Sequence, residues 1–314
     1  MYLGGAVSPA SRHPLEGRLS SYDYDDYADA EESFAKRKDR RKPKGRRSVK
    51  TLEQKQDDKT QFEEPGLQHV FEMGLLDTLI GELKSGKEAT VYLAEGPQGL
   101  LAAKVYSDMA VRSFKNDQVY RDGRFIGDDR LEKAIQQRSR TGLNVQQALW
   151  ILHEYIQLWE LYEAGVPVPK PAVGPGLNEC AKAGRVVLMN FIGDDAGVAA
   201  PRLSDVRLTP AEGEAAFAQS LDIMVALLKL GKVHGDYSAY NLLWWEGRVI
   251  VIDVPQMVNI AENKHAPELL EQDVESLCQS LRRSVDADPQ IVLLEVRRRA
   301  GLNPALNPLG EVRG

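Results

Sequence analysis

Cysteine is scarce in this chain: two in 314 residues, Cys180 and Cys278. Two thiols exclude a disulfide scaffold and a cysteine-rich metal site, and they fit a reducing cytoplasm, the expected location. Long apolar runs are missing as well. No stretch approaches the roughly 18 apolar residues that span a bilayer. The opening Met-Tyr-Leu-Gly-Gly-Ala has neither the basic start nor the apolar core of a signal peptide, so no membrane partner is expected. What remains is ordinary for a globular protein, with 43% hydrophobic and 27% charged residues, and enough length for one two-lobed domain or two small ones.

The most informative stretch is Val233-His234-Gly235-Asp236-Tyr237-Ser238-Ala239-Tyr240-Asn241, followed by the β-branched run Val249-Ile250-Val251-Ile252 and then Asp253. Phosphoryl transfer from ATP needs one carboxylate to orient or deprotonate the acceptor, and an amide and a second carboxylate to hold Mg²⁺ against the phosphates. H-x-D-x-x-x-x-N followed by a strand ending in Asp is the spacing of the protein-kinase catalytic loop and its metal-binding Asp. These residues assign Asp236 as base or orienter and Asn241 and Asp253 as metal ligands. Alone, His-Gly-Asp would equally suit a turn with a satisfied core histidine.

Upstream, Gly81 and Gly86-Lys87 satisfy most of the P-loop pattern, but Glu88 stands where the metal-binding hydroxyl belongs. Ala89 to Gly96 reads as a strand ending in a turn at Gly96-Pro97, not as the helix that a P-loop needs. A strand–loop–strand flap is the better reading, with backbone N–H groups of residues 84–88 over phosphates. Lys104 follows inside the apolar strand Leu100–Tyr106. A buried ammonium needs an anion, so Lys104 is expected to hold ATP phosphates, although a lysine snorkelling from an edge strand is the alternative. Residues 107–145, polar and basic, read as a long mobile insertion. Ala148–Ala164 reads as a helix, from which Glu154 is expected to pair with Lys104. Glu160 and Glu163 are rivals for that role. Arg185–Gly193 reads as a buried strand running into a linker, where Met189, Asn190 and Ile192 would meet an adenine edge. Thr209-Pro210-Ala211-Glu212 is a helix start, with a cap, Pro at the first position and Glu at the third. Two further helical patterns lie around 266–283 and 289–300.

Residues 1–61 read as a disordered tail. Tyr22 to Glu32 holds six acids, and Lys36 to Lys50 holds ten basic residues against Asp39. Too few apolar groups are present to offset the entropy of ordering. The basic block either tracks RNA phosphates or stays solvated against the acidic one.

Three motifs carry a family resemblance: Ser85-Gly86-Lys87-Glu88-Ala89-Thr90-Val91-Tyr92, His234-Gly235-Asp236 through Asn241, and Ile252-Asp253-Val254-Pro255-Gln256. Together they resemble the RIO family of atypical serine/threonine kinases, in its RIO-one-like branch, and Asn190-Phe191-Ile192-Gly193 resembles its hinge. The likeness covers residues 62–285. Lys84 before the flap Ser and Pro255 depart from the branch pattern. The resemblance implies an α+β, two-lobed protein-kinase-like fold with a small β-rich N-lobe and a helical C-lobe. It implies ATP with Mg²⁺, or Mn²⁺ in its place, and phosphorylation of a protein serine or of the chain itself. It also implies ATP hydrolysis as a switch, a link to the small ribosomal subunit, and an aspartyl-phosphate at the residue matching Asp253. Ser85, Gly86, Lys87 and Glu88 then belong to the ATP site with Lys104 and Glu154. Only residues 254–314 follow the metal Asp, and no Ala-Pro-Glu occurs there, so the C-lobe is expected to be truncated, without an activation loop or peptide-docking subdomain. The domain is expected over 62–300, with lobes 62–189 and 193–300 and a short tail 301–314.

Two rival functions share parts of this pattern. A small-molecule phosphotransferase of the aminoglycoside or choline kinase type also uses H-G-D-x-x-x-x-N, but with a larger helical substrate lobe and without the Ser-Gly-Lys-Glu flap. An ATP-bound RNA or ribosome assembly factor with little turnover would explain the basic segment, but not the complete set of Lys104, Asp236, Asn241 and Asp253.

Overall fold

The computed structural model describes residues 49–56, 59–86, 88–107, 119–120, 129–137 and 139–302. It begins with a single helical turn, α1 (Val49–Leu52), and a hairpin of β1 (Glu53–Gln56) and β2 (Lys59–Phe62). The expected boundary at 61/62 therefore falls inside folded structure. Leu52 and Phe62 are buried, which gives this short segment the apolar anchor its composition does not advertise. Glu53 accepts hydrogen bonds from the Thr78 hydroxyl (2.8 Å) and from the Leu79 N–H (2.7 Å), stitching the hairpin to the sheet beyond. Most of the basic segment 36–50, with its RNA reading, lies outside the described residues.

After helix α2 (Pro65–Glu72), four strands form an antiparallel sheet in the order β3 (Thr78–Ser85), β4 (Ala89–Gly96), β5 (Gly99–Tyr106), β6 (Val186–Asn190). β4 follows the flap directly, so the segment after Lys87 is a strand and the P-loop alternative fails. Side chains alternate along β5: Leu101, Ala103 and Val105 are buried on one face, while Ala102, Lys104 and Tyr106 share the other.

Between β5 and β6 lie α3 (Asp129–Gln136), α4 (Arg140–Glu163) and α5 (Leu177–Lys182). The described part of the expected mobile insertion is thus largely helical, with Ile135 and Val145 packed together. Residues 108–118, 121–128 and 138 lie outside the described set. α4 starts eight positions earlier than Ala148, because Ser139 caps it by accepting from the Gly142 N–H. Its end is set by Gly165 at φ +77°, with the Val166 N–H returning to the Leu161 carbonyl, before Pro167 is reached.

The second lobe is helical. α6 (Pro210–Lys229) opens with the expected capping box between Thr209 and Glu212. The chain then forms β7 (Lys232–Val233), the catalytic-type loop, and a hairpin of β8 (Leu242–Trp245) and β9 (Arg248–Val251). Glu246 and Gly247, both at positive φ, make its two-residue turn, and Gly adopts this conformation without steric penalty. β10 (Val258–Asn259) returns to pair with β7, and α7 (Ala266–Leu281) and α8 (Pro289–Arg299) follow. Among the described residues, no helix is long and apolar enough to cross a membrane.

Candidate active site

The loop from His234 to Asn241 connects β7 to β8, and Asp253 follows β9. Two short sheets therefore hold the ends of both segments. Asn241 locks the loop from inside: its Nδ2 donates to the Asp236 backbone carbonyl (2.9 Å) and to Asp236 Oδ2 (2.8 Å). With Nδ2 committed to Asp236, Oδ1 is the atom that Asn241 can offer a cation. His234 is buried. Burial drives its imidazole down to about 4 against the opposing charge of Asp253, so the ring is neutral at physiological pH. Its Nδ1 faces the Asp236 N–H at 3.3 Å, which places the ring proton on Nε2. This histidine is a structural member of the loop.

Lys104 reaches across from β5. Its Nζ donates to Glu154 Oε1 at 2.6 Å and to Asp253 Oδ1 at 2.8 Å. Burial pushes the ammonium down, but Asp253 and Glu154 outweigh it and hold Lys104 well above the ordinary lysine value. The expected Lys104–Glu154 pair is present, and the snorkelling alternative is excluded. The rival acids are elsewhere. Glu160 lies 3.0 Å from Lys232, an ion-pair contact whose angle falls short of a hydrogen bond, and Glu163 is exposed.

Asp236 and Asp253 experience opposite fields. Crowding in the cleft raises Asp236, the Asn241 hydrogen bond opposes this, and the Asp253 charge adds to it, with the net shift upward. At Asp253 the cleft also resists ionisation, but Lys104 outweighs that effect and the net shift is downward. Its side chain is 48% exposed and its backbone sits at φ +64°, a left-handed conformation unusual for a residue with a β-carbon. Two carboxylates pushed apart in this way divide labour between proton acceptor and permanent anion.

The flap is less complete than expected. The Gly86 N–H closes the β3–β4 turn on the Ala89 carbonyl (2.9 Å), so it is not available to cover phosphates, and Ser85 Oγ lies 3.3 Å from Thr90 Oγ1. Lys87 lies outside the described residues. Glu88 belongs electrostatically to the cleft: burial raises its carboxyl, and the Asp253 charge raises it further. In the linker, Met189 pairs with Ala102 and Asn190 with Leu101, and sheet pairing ends there. The Asn190 N–H is given to the Lys170 carbonyl, and the Ile192 carbonyl accepts from Ala200, so of the two Ile192 backbone groups the N–H is the one that an adenine edge could meet.

Three groups were not anticipated from sequence. Asp273, on α7, is buried and accepts from the Gly235 N–H and the Tyr237 N–H, both at 2.8 Å, so it fixes the backbone on either side of Asp236. The signal was available: an acid between Leu269, Leu270, Val274 and Leu277 on an apolar stripe. Tyr106 donates to Glu154 Oε2 at 2.5 Å. Tyr120 packs against Gly235, with its hydroxyl 3.4 Å from that residue's carbonyl, and Asn263 holds the neighbouring Val119 carbonyl at 2.7 Å.

Among the described residues, no group of three or more His, Cys, Asp or Glu side chains could hold a metal by itself. Asn241 and Asp253 supply one amide oxygen and one carboxylate. That donor set fits Mg²⁺, which keeps waters and takes phosphate oxygens as further ligands.

Comparison with known proteins agrees with this geometry. The RIO domain family model matches residues 90–292. The chain is 30% identical to the RIO-type serine/threonine-protein kinase Rio1 of Haloferax volcanii, over 90% of this chain and 91% of that protein. It is 30% identical to the serine/threonine-protein kinase RIO1 of Caenorhabditis elegans, over 82% of this chain and 46% of the relative. Against the serine/threonine-protein kinase RIO3 of Bos taurus, identity is 32% over 67% of this chain and 40% of the relative. The chain thus spans under half the length of these two animal relatives and nearly all of the Haloferax one. With a domain match covering more than half the sequence and the Lys104–Glu154–Asp253 and Asp236–Asn241 groupings in place, the chain belongs to the RIO domain family of kinase-like proteins.

Proposed function

We propose that this protein is an ATP-dependent serine/threonine kinase that phosphorylates a protein serine, either on a partner or on itself. The observation that carries the reading is the geometry of one cleft, where Lys104 bridges Glu154 (2.6 Å) and Asp253 (2.8 Å) and Asn241 holds Asp236 (2.8 Å), with the Asp236 and Asp253 carboxyls shifted in opposite directions. A group raised toward neutrality receives a proton better, and a group held ionised holds charge better.

Asp236 accepts the acceptor hydroxyl proton as the oxygen forms its bond to the γ-phosphorus. The bond to the β–γ bridging oxygen breaks, and ADP leaves with that electron pair. Asn241 keeps Asp236 in place through its Nδ2. Lys104, already tethered by Glu154, turns from Asp253 to phosphate oxygens. Asn241 Oδ1 and Asp253 would hold Mg²⁺, which neutralises charge on the phosphates when bound. In the ATPase cycle that the family resemblance implies, an Asp253 oxygen would instead bond the γ-phosphorus as ADP leaves, and water would then hydrolyse the aspartyl-phosphate.

Incubation with labelled Mg-ATP tests the reading. Asp236→Ala is expected to abolish phosphoryl transfer and spare ATP binding, while Asp253→Ala weakens Mg-ATP binding itself. Wild-type transfer by Asp236→Ala, or faster turnover with aminoglycosides or choline than with protein, would refute it.

A further inference from the structure

The Glu154 carboxylate is almost wholly enclosed, with 1% of the residue exposed. An ionised carboxylate in such a place needs donors on both oxygens. One oxygen has Lys104 at 2.6 Å; the other has the Tyr106 hydroxyl at 2.5 Å. Tyr106 is two positions beyond Lys104 on β5, so strand alternation places the two side chains on one face. Lys104 Nζ sits 4.8 Å from the centroid of the Tyr106 ring. The tyrosine therefore touches the ion pair twice, as a hydrogen-bond donor to the anion and as an aromatic face against the cation. It does not reach Asp236, and no step of phosphoryl transfer uses its hydroxyl.

We propose that Tyr106 is a positioning residue: its hydroxyl satisfies the second Glu154 oxygen and fixes that carboxylate in one rotamer, and thereby holds Lys104 where phosphate oxygens will arrive. This deepens the kinase reading and rests on it. Lys104 and Tyr106 from β5 touch Glu154, while Asp253 from the loop after β9, Glu88 from the flap and Tyr155 on its own helix are the other titratable groups that it influences or that influence it. Burial acts most strongly on Glu154 and its carboxyl is raised above the ordinary value; Lys104 and the Tyr106 hydrogen bond oppose that shift, and the Asp253 charge adds to it. Loss of the Tyr106 hydroxyl leaves a buried carboxylate oxygen without its donor. Protonation of Glu154 then sets in at higher pH, and the pair with Lys104 weakens with it.

Tyr106→Phe, which keeps the ring, tests this on the full-length chain. The expected result is a fall in kcat/KM for ATP of about tenfold, carried mainly by KM, with the acid limb of the pH profile displaced to higher pH. In a Glu154→Gln background the same substitution should cause little further loss, because its route to Lys104 is already cut. Carbon-13 titration of labelled glutamate carboxyls, with Glu154→Gln identifying the resonance, reads the same coupling without ATP. An upward shift of the Glu154 midpoint in Tyr106→Phe is expected. If Tyr106→Phe does not fold, site-specific 3-fluorotyrosine at 106 supplies a stronger donor and should move both midpoints down. An unmoved Glu154 titration, or an equal loss in both backgrounds, overturns the proposal. A wild-type protein with normal Glu154 coupling and no ATP turnover would instead count against the kinase reading.

Discussion

Replacing Asp273 by Ala gives the sharpest test of how the catalytic loop is held. The carboxylate accepts two backbone N–H groups, from Gly235 and Tyr237, both at 2.8 Å and both buried. A buried donor left without an acceptor costs about 1–3 kcal/mol, so two cost about 2–6 kcal/mol, a large part of the roughly 5–15 kcal/mol that stabilises a domain. The pH dependence carries a sign that can fail. Burial raises the Asp273 carboxyl from its ordinary value of 3.8 to about 7, against the pull of the two N–H groups. Between those values the folded protein binds more protons than the unfolded chain, so the stability contributed by Asp273 is complete below 3.8 and is lost as pH rises through about 7. The deficit of Asp273→Ala should accordingly narrow as pH rises, by at most about 1.4 kcal/mol per unit, or about 2 kcal/mol between pH 5 and pH 7. Urea unfolding of both proteins across that range, at constant ionic strength, measures it. Phosphoryl transfer should fall further than Mg-ATP affinity, since the loosened backbone flanks Asp236 and not Lys104. A deficit that widens with pH would show Asp273 held ionised by its two donors, and the account of its burial would be refuted. A deficit below about 0.5 kcal/mol with intact transfer would remove it from the site altogether.

The remaining expectations concern the frame of the site. Leu52→Ala should cost about 2–5 kcal/mol in chemical unfolding, because Leu52 is 1% exposed; a change near zero would return residues 49–62 to the tail. Lys232→Met leaves Glu160 without its buried counter-ion and should cost about 3–5 kcal/mol, with much of that recovered by pairing it with Glu160→Leu. Additive losses in the double variant would show that the contact carries no coupling.

Legibility from sequence followed the spacing of chemistry. Asp236, Asn241, Asp253 and Lys104 were readable because phosphoryl transfer fixes both their types and their order along the chain. Glu154 was readable as one of three acids on a helix, and only the structure chose among them, since helical rotation decides whether a side chain faces the sheet, the second lobe or water. The hairpin at 53–62 was not readable: Glu53-Gln54-Lys55-Gln56 has no apolar alternation, and its order comes from Leu52, Phe62 and the Glu53–Thr78 contact, which are tertiary. The flap misled in a narrower way. A Gly-Lys turn suggested open N–H groups, yet the hairpin uses the Gly86 N–H to close itself.

The same principle accounts for the groups found only in space. Asp273 and Tyr106 each contribute a polar atom to a buried setting from an element that otherwise reads as plain core. In a helix such as α7, the period of 3.6 put Asp273 on the inward stripe, and a lone acid there demands donors from somewhere. Sequence could state that demand but not its answer, because the donors are main-chain N–H groups thirty-six and thirty-eight residues away. The site thus has two layers with different visibility. The groups assigned to phosphoryl transfer are written as a motif, whereas those that hold the motif in place are distributed over β5, α4 and α7. One consequence is that α4 serves both lobes through two acids, Glu154 toward Lys104 and Glu160 toward Lys232. A rotation of that helix would disturb the Lys104–Glu154 pair and the nearly buried Lys232–Glu160 pair beside β7 together.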